Sequence, residues 1–444
     1  MRKVRTKFSK DLGLFDSVLL GIGFIIGSGI FLFPILMASK AGTFSLVSWV
    51  IAGIYSILTG LCFAENAQKM PRAGGLYAYA HGALGNVAGF LTGWAFWTGY
   101  WMTLATEMVA TSLYLKFFLP SLSDFYRIVI ATVIALSLTA INYRGVKSGG
   151  RTEDILTIGK LGPLAVFIIV GAFLVSYSNY YPLAPANVSL LPAVGSATIF
   201  ALWAYLGVEI ITVPEEEIKD AKRTVPRAII ISVFTVMSIY LLVAAVALGL
   251  GRWGNFVNSQ APLADIFQAA TQRYVGNAGG ILLALGGLIA ILGSINAVIL
   301  GAARISYAMA RDRLFPQIIN HLHPKFKTPD RAIILQTILA ISLVYALSDF
   351  TILASLAVLF TIVPYLFSCL ATIMLISKAG WKTHVLHTRW TPFAAVIFSV
   401  ILFYYIDLKV LLLGLAFILG GLFLYYLSVH GKAKPPPLAS KSTD

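Results

Sequence analysis

Apolar residues run in stretches of about twenty along most of this chain, long enough to cross a hydrocarbon core, with polar residues in short islands between them. The stretches show no period-2 alternation, so they read as helices and not as strands of a barrel. The pattern predicts an all-α polytopic membrane protein of twelve transmembrane helices. They fall near 14–40, 43–66, 86–118, 125–144, 154–178, 194–213, 226–250, 276–310, 331–348, 351–377, 391–407 and 410–429. The predicted organisation is a tail over 1–13, five helices over 14–178, five over 179–378, two peripheral helices over 379–430 and a polar, Pro-containing tail over 431–444 that reads as disordered.

Two of the apolar stretches are interrupted. "GIGFIIGSGIFLFP" (21–34) places Gly27, Ser28 and Gly29 mid-span and Pro34 shortly after. Each glycine costs a helix about 1 kcal/mol relative to alanine. Small residues serve close helix–helix contact, or they break the helix so that backbone N–H groups face a ligand. "FALWAYLGVEIITVPEEE" (200–217) repeats the feature, with Gly207 mid-span, Glu209 two residues on and Pro214 beyond. The interrupted stretches are the first and the sixth, five apart. Breaks at matching positions of two five-helix halves point to an inverted-repeat transporter with a site at the bilayer midplane.

The chemistry of such a site follows from backbone groups. Free N–H groups at the start of a half-helix suit a carboxylate. Free carbonyls at the end of the other half suit an ammonium, so two facing breaks hold both ends of a zwitterion. The candidate substrate contacts are Ile26, Gly27, Ser28, Gly29 and Ile30 on the first break, and Trp203, Ala204 and Gly207 on the second. Trp203, one turn before Gly207, either covers a substrate or packs in the core.

Composition fits this picture. Of 444 residues 58% are hydrophobic and 11% charged, against about 25% charged in soluble domains. The net charge of +15 would suit a nucleic acid, but its distribution reads differently. With the N-terminus assigned to the cytoplasm, 25 of the 33 lysines and arginines fall on that side and six on the other. Lys160 and Arg304 lie within helices. This is the positive-inside signature of a cell-membrane protein with both termini cytoplasmic. Anionic lipid is the natural partner of that charge, and no nucleic-acid role is implied. No small-residue cleavage site follows the first apolar stretch, so it reads as a retained helix. Cys62 and Cys369 form no metal spacing and imply no disulfide framework.

Charges at bilayer depth are functional candidates by default. Glu209 beside the second break suits a proton carrier or gate, or a carboxyl satisfied by neighbouring N–H groups. Lys160 either snorkels to the interface or fills a cation site from which it can lose its proton. Glu107 could pair with a basic side chain, meet a cationic substrate or face a wet cavity. Arg304, toward the inner end of the eighth helix, suits a structural hydrogen bond. All six histidines lie in loops or at helix ends, which leaves no nucleophile–base pair or metal cluster at depth. The chain therefore reads as no enzyme, with no cofactor and no metal. A channel would need a continuous polar pore. A transporter-like sensor would share the same sequence features. The oligomeric state stays open.

Taken together the motifs resemble the amino acid–polyamine–organocation (APC) transporter superfamily over nearly the whole chain. "GIGFIIGSGIFLFP" is similar to the family's helix-one signature. "MPRAGGLYAYAHGALG" (70–85) is similar to its short re-entrant segment at the cytoplasmic gate. "GVEIITVPEEEIKDAKRTVPRAI" (207–229), "ARISYAMARDRLFP" (303–316) and "FTIVPYLFSCLA" (360–371) resemble its exits and entries around helices six to eight and its helix ten. The resemblance implies two inverted five-helix repeats plus two peripheral helices, the fold of sodium-coupled leucine transporters. It implies alternating access, with helices one and six tilting and Gly82 and Gly85 in the gate segment. Lys160 matches a lysine that stands in place of a sodium ion, which implies sodium-independent transport, by proton symport or by exchange. Lys160 and Glu209 are the proton-coupling candidates. Trp203 and Glu209 match the arginine–agmatine antiporter's pattern, yet Phe24, Val298 and Ala357 stand where that antiporter has polar or aromatic contacts. The more apolar pocket implies a neutral or broad amino-acid substrate, and Glu107 leaves exchange of cationic amino acids or polyamines open.

Overall fold

A computed structural model describes residues 13–70, 74–212, 218–386 and 388–430. Every regular element among them is helical. In order these are α1 (Leu14–Ile25), α2 (Gly29–Ala41), α3 (Ser45–Lys69), α4 (Leu76–Leu84), α5 (Asn86–Phe118), α6 (Asp124–Tyr143), α7 (Val146–Ala172), α8 (Leu190–Ala204), α9 (Ala221–Leu250), α10 (Pro262–Val275), α11 (Ala278–Arg311), α12 (Asp330–Ala346), α13 (Phe350–Lys378), α14 (Thr391–Tyr404) and α15 (Leu408–His430). Six helical stretches are long and apolar enough to cross a membrane by length and composition, and four shorter apolar helices accompany them. The chain is thus a multi-pass membrane protein.

Helix occupies all twelve stretches predicted from hydropathy, and the ends differ. α7 starts at Val146 and α8 at Leu190, several residues before the predicted starts. α10 is an element the hydropathy pattern did not announce. Its segment is polar enough to lie off the apolar stretches, yet Pro262 opens it at a position where a missing N–H costs nothing and Gly276 closes it at φ +59. The Glu-rich exit over 214–217, Arg72 and both tails lie outside the described residues.

Packing divides the helices into two groups. α1, α2, α3, α8 and α9 pack on one another; α5, α6, α11 and α12 form a second group. α7 leans on α11 and α9, and α13 on α5 and α3, so these two bridge the groups. Polar contacts are few and specific, as expected where lipid removes the hydrophobic drive between helices. Asn142 of α6 donates to Asn296 of α11, and Gln336 of α12 to the Ile299 carbonyl. Cys62 and Cys369 are both buried and free.

Candidate functional site

Both interrupted stretches are broken. α1 ends at Ile25, Ile26 is extended at φ −75 and ψ 97, and α2 restarts at Gly29 from Ser28. α8 ends at Ala204, and a single 3-10 turn, Val208–Thr212, follows Gly207 at φ +110. The breaks touch: a Cβ on Gly207 would stand 3.0 Å from the Phe24 carbonyl oxygen. One on Gly29 would stand 2.8 Å from the Ala204 Cβ, and one on Gly27 would overlap the Ser294 hydroxyl. Glycine at these positions is what lets two backbones meet.

Backbone groups freed by the breaks need partners inside the protein. Lys160 Nζ donates to the Gly23 carbonyl at 2.5 Å. Its side chain is 1% exposed, so it does not snorkel to the interface. The Tyr240 hydroxyl lies 3.0 Å from the Ile25 carbonyl and 2.9 Å from that of Ala204, bridging the last turns of α1 and α8. Three of the carbonyls at the ends of α1 and α8 are therefore taken by side chains of the protein. The opening donors of α2 differ: the Phe31 N–H bonds the Ser28 carbonyl at 2.9 Å, and the helix itself supplies no partner for the N–H groups of Gly29 and Ile30.

Beside the breaks lies a cavity of about 50 Å³, room for a few waters or a small solute. α5 lines it with Tyr100, Thr103 and Glu107, which recur on one helical face, and α11 with Ser294, Ala297 and Val298. Gly27, Gly29, Trp203, Ala204, Gly207, Glu209 and Phe24 also line it. Ile26, Ser28, Ile30, Lys160 and Ala357 are buried nearby but do not form its wall. Glu107 is fully buried, with its carboxyl facing the Ser28 and Ser294 hydroxyls, the Ser28 N–H and the Lys160 ammonium. The Trp203 indole N–H has no hydrogen-bond partner among the described residues.

The cavity is flanked by different chemistry on its two sides. On the α2 and α8 side Phe33 meets Phe200 at 5.5 Å, Trp203 edge-on at 5.4 Å and Phe350 at 5.5 Å between ring centroids. On the other side Glu209, 3% exposed, accepts hydrogen bonds from Tyr100 at 2.8 Å, Tyr365 at 2.5 Å and the Gly207 N–H at 3.1 Å. This carboxylate joins α5, α13 and the second break. Tyr100, Tyr240, Ser294 and Tyr365 are absent from the sequence-derived set. They stand on uninterrupted helices, where no local signal separates a gate tyrosine from a packing one. Arg304 lies on an exposed face of α11, away from the cavity.

In the 70–85 motif, α4 packs on α5 and α13. Tyr77 donates to Asp312 at 3.0 Å, and burial together with that carboxylate pushes its hydroxyl well up, so it stays a donor. Gly85, at φ +91, turns the chain from α4 into α5, and Gly82 packs against Met70.

The sequence profile of the amino acid permease family matches residues 12–428. The chain is 28% identical to the branched-chain amino acid permease BcaP of Bacillus subtilis, over 72% of this chain and 71% of that one. It is 29% identical to the serine/threonine exchanger SteT of the same organism, over 87% and 88%. It is 30% identical to the methylthioribose transporter of Bacillus subtilis, over 73% and 72%.

Proposed function

The chain belongs to the amino acid permease family of the APC superfamily, and on that premise we propose that it is a sodium-independent, proton-coupled carrier of small neutral amino acids. It works by alternating access across the cell membrane, with twelve spans, two inverted five-helix repeats and both termini cytoplasmic. The observation that carries this reading is the meeting of the two breaks, Gly207 against the Phe24 carbonyl, beside a cavity lined by Glu107 and the unpaired Trp203 indole N–H. The opening N–H groups of α2 hold the substrate carboxylate. Phe24, Ile25, Leu206, Ile210 and Val298 surround an apolar or hydroxyl side chain. The names of the branched-chain and serine/threonine relatives support a neutral substrate.

The Lys160 ammonium at the Gly23 carbonyl supplies the positive charge that a bound cation would otherwise bring to this broken helix. Loss of its proton would remove the charge that strengthens this hydrogen bond, loosen the hold on the carbonyl and ease the tilting of α1. Glu209 with Tyr100 and Tyr365 forms the inner gate, and the Phe33, Phe200, Trp203 and Phe350 rings form the outer one. The group of α1, α2, α3, α8 and α9 moves against that of α5, α6, α11 and α12. Glu107, a buried carboxyl in the cavity wall, favours a second reading in which exchange includes cationic substrates.

Uptake of a radiolabelled amino-acid panel into proteoliposomes, with and without an inward proton gradient, tests this for the wild type and Lys160→Ala. Gradient-driven accumulation of serine, alanine or valine that the variant loses is expected. Uptake that ignores the gradient and requires internal amino acid would make the protein an exchanger. Uptake confined to arginine or a polyamine would move the reading to Glu107, and no uptake of any amino acid would overturn the substrate class.

A further inference from the structure

The loop between α13 and α14 carries features that amino-acid transport does not use. α13 ends in a Schellman motif: the Gly380 N–H bonds the Ser377 carbonyl at 3.0 Å and the Trp381 N–H bonds that of Ile376 at 2.7 Å. Gly380 takes φ +64 as the motif requires, but the next residue, Trp381, also sits at φ +61. A bulky side chain is rarely held there unless its surroundings fix it. Here they do. The Glu65 carboxylate, buried at the end of α3, accepts the N–H groups of His384, Val385 and Leu386 at 2.7–3.3 Å. Lys69 pairs with Glu65 at 3.4 Å and donates to the Lys382 carbonyl at 2.9 Å. Val385 and Leu386 are buried beneath.

This anchorage leaves two tryptophans facing outward, Trp381 at 42% and Trp390 at 63% exposure. Arg389 lies over the Trp390 ring at 5.5 Å, and Phe393 stacks on Trp381 at 6.2 Å and lies tilted against Trp390 at 5.8 Å. Lys378, Lys382 and Arg389 are exposed around them. The sequence holds no acidic residue between Asp349 and Asp407 to neutralise them, and Glu65, the carboxylate that reaches the loop among the described residues, is buried under it. The loop joins two apolar helices and so lies at a membrane surface.

We infer that the α13–α14 loop is a recognition surface for anionic phospholipid, with Trp381 and Trp390 seated at the headgroup level and Lys378, Lys382 and Arg389 on the lipid phosphate. Indole rings settle at that depth, and basic residues there attract acidic lipid, an attraction that weakens with salt. A soluble phosphate would use the cations but has no need of the tryptophans, which is why the bilayer is the source assigned. The inference rests on the family's membrane placement and not on the substrate proposed above.

Quenching by brominated lipid tests it without reference to transport. The full-length protein is placed in nanodiscs that contain the same fraction of brominated acyl chains, carried either on phosphatidylglycerol or on phosphatidylcholine. The Trp381→Phe/Trp390→Phe variant supplies the background from the other tryptophans. The loop signal is expected to be quenched severalfold more by the brominated acidic lipid. That preference should fall toward parity in Lys378→Gln/Lys382→Gln/Arg389→Gln and with added salt, and should survive millimolar inorganic phosphate. Equal quenching by both lipids would overturn the inference, as would a preference unchanged in the triple variant. Loss of the preference in free phosphate would reassign the cations to a soluble anion. The three substituted side chains are exposed, and the unfolding temperature of the triple variant in detergent verifies its fold.

Discussion

Gly207 shows how much one missing methyl group controls. Its φ of +110 disfavours any L side chain, and the Phe24 carbonyl fills the space a Cβ would take. Forcing an L residue into left-handed backbone costs about 1–2 kcal/mol, and separating the two breaks adds to that. Gly207→Ala is therefore expected to lower the rate of substrate uptake at least about tenfold, with the protein still inserted and extractable. Wild-type uptake would remove the role given to the contact. Glu209 makes a complementary case. It accepts from two phenols and one amide at once, a load that a carboxylate meets and a carboxamide cannot. Glu209→Gln turns one acceptor into a donor facing a donor, at a cost of about 1–3 kcal/mol. Transport in proteoliposomes should slow by roughly tenfold or more, and Tyr365→Phe should reproduce part of that loss.

At the scale of elements, helix ends are where this chain concentrates its polar contacts. The Tyr240 hydroxyl on α9 serves the last turns of both α1 and α8, so two broken helices share one donor. Tyr240→Phe leaves both carbonyls without it, and increased hydrogen exchange is expected around the two breaks before anywhere else. The end of α3 makes the same point on the loop side. Glu65 holds three consecutive amides of the α13–α14 loop, and Gln68 donates to the Lys222 carbonyl at the start of α9. Removing the carboxylate with Glu65→Ala leaves those amides unsatisfied, which costs about 1–3 kcal/mol for each buried group that water does not reach. The variant should unfold several degrees earlier in detergent, and an unchanged unfolding temperature would show that the loop amides find other partners.

Across the whole molecule, the contacts between the two packed groups of helices decide the conformation. Tyr114 of α5 donates to the Phe31 carbonyl of α2 at 2.9 Å, Tyr100 of α5 to Glu209, and Lys160 of α7 to α1. These few polar ties hold the two groups together around the cavity. A ligand that fits the cavity binds this form and stabilises it by mass action, about 2.7 kcal/mol at a hundredfold excess over Kd. Thermal unfolding in detergent should therefore shift upward with serine, alanine or valine and much less with tryptophan, whose side chain exceeds the space. A panel-wide absence of shift would argue against a small amino acid in this cavity.

Much of this was legible in the chain before any coordinate. Apolar stretches of about twenty residues fix helices because the bilayer leaves a backbone no other way to satisfy itself, and the glycines of 21–34 and 200–217 mark breaks because they are the weakest points of those helices. Those local signals placed Gly27, Gly29, Trp203, Gly207 and Glu209 around one site. Tertiary structure alone decided the rest. Which face of α5 carries Glu107 into the cavity, which tyrosines meet Glu209, and that Lys160 turns inward to the Gly23 carbonyl all depend on how helices far apart in sequence rotate against each other. Hydropathy is nearly uniform around such helices, so the pattern cannot encode their rotation. It is set by packing and by a small number of long-range hydrogen bonds.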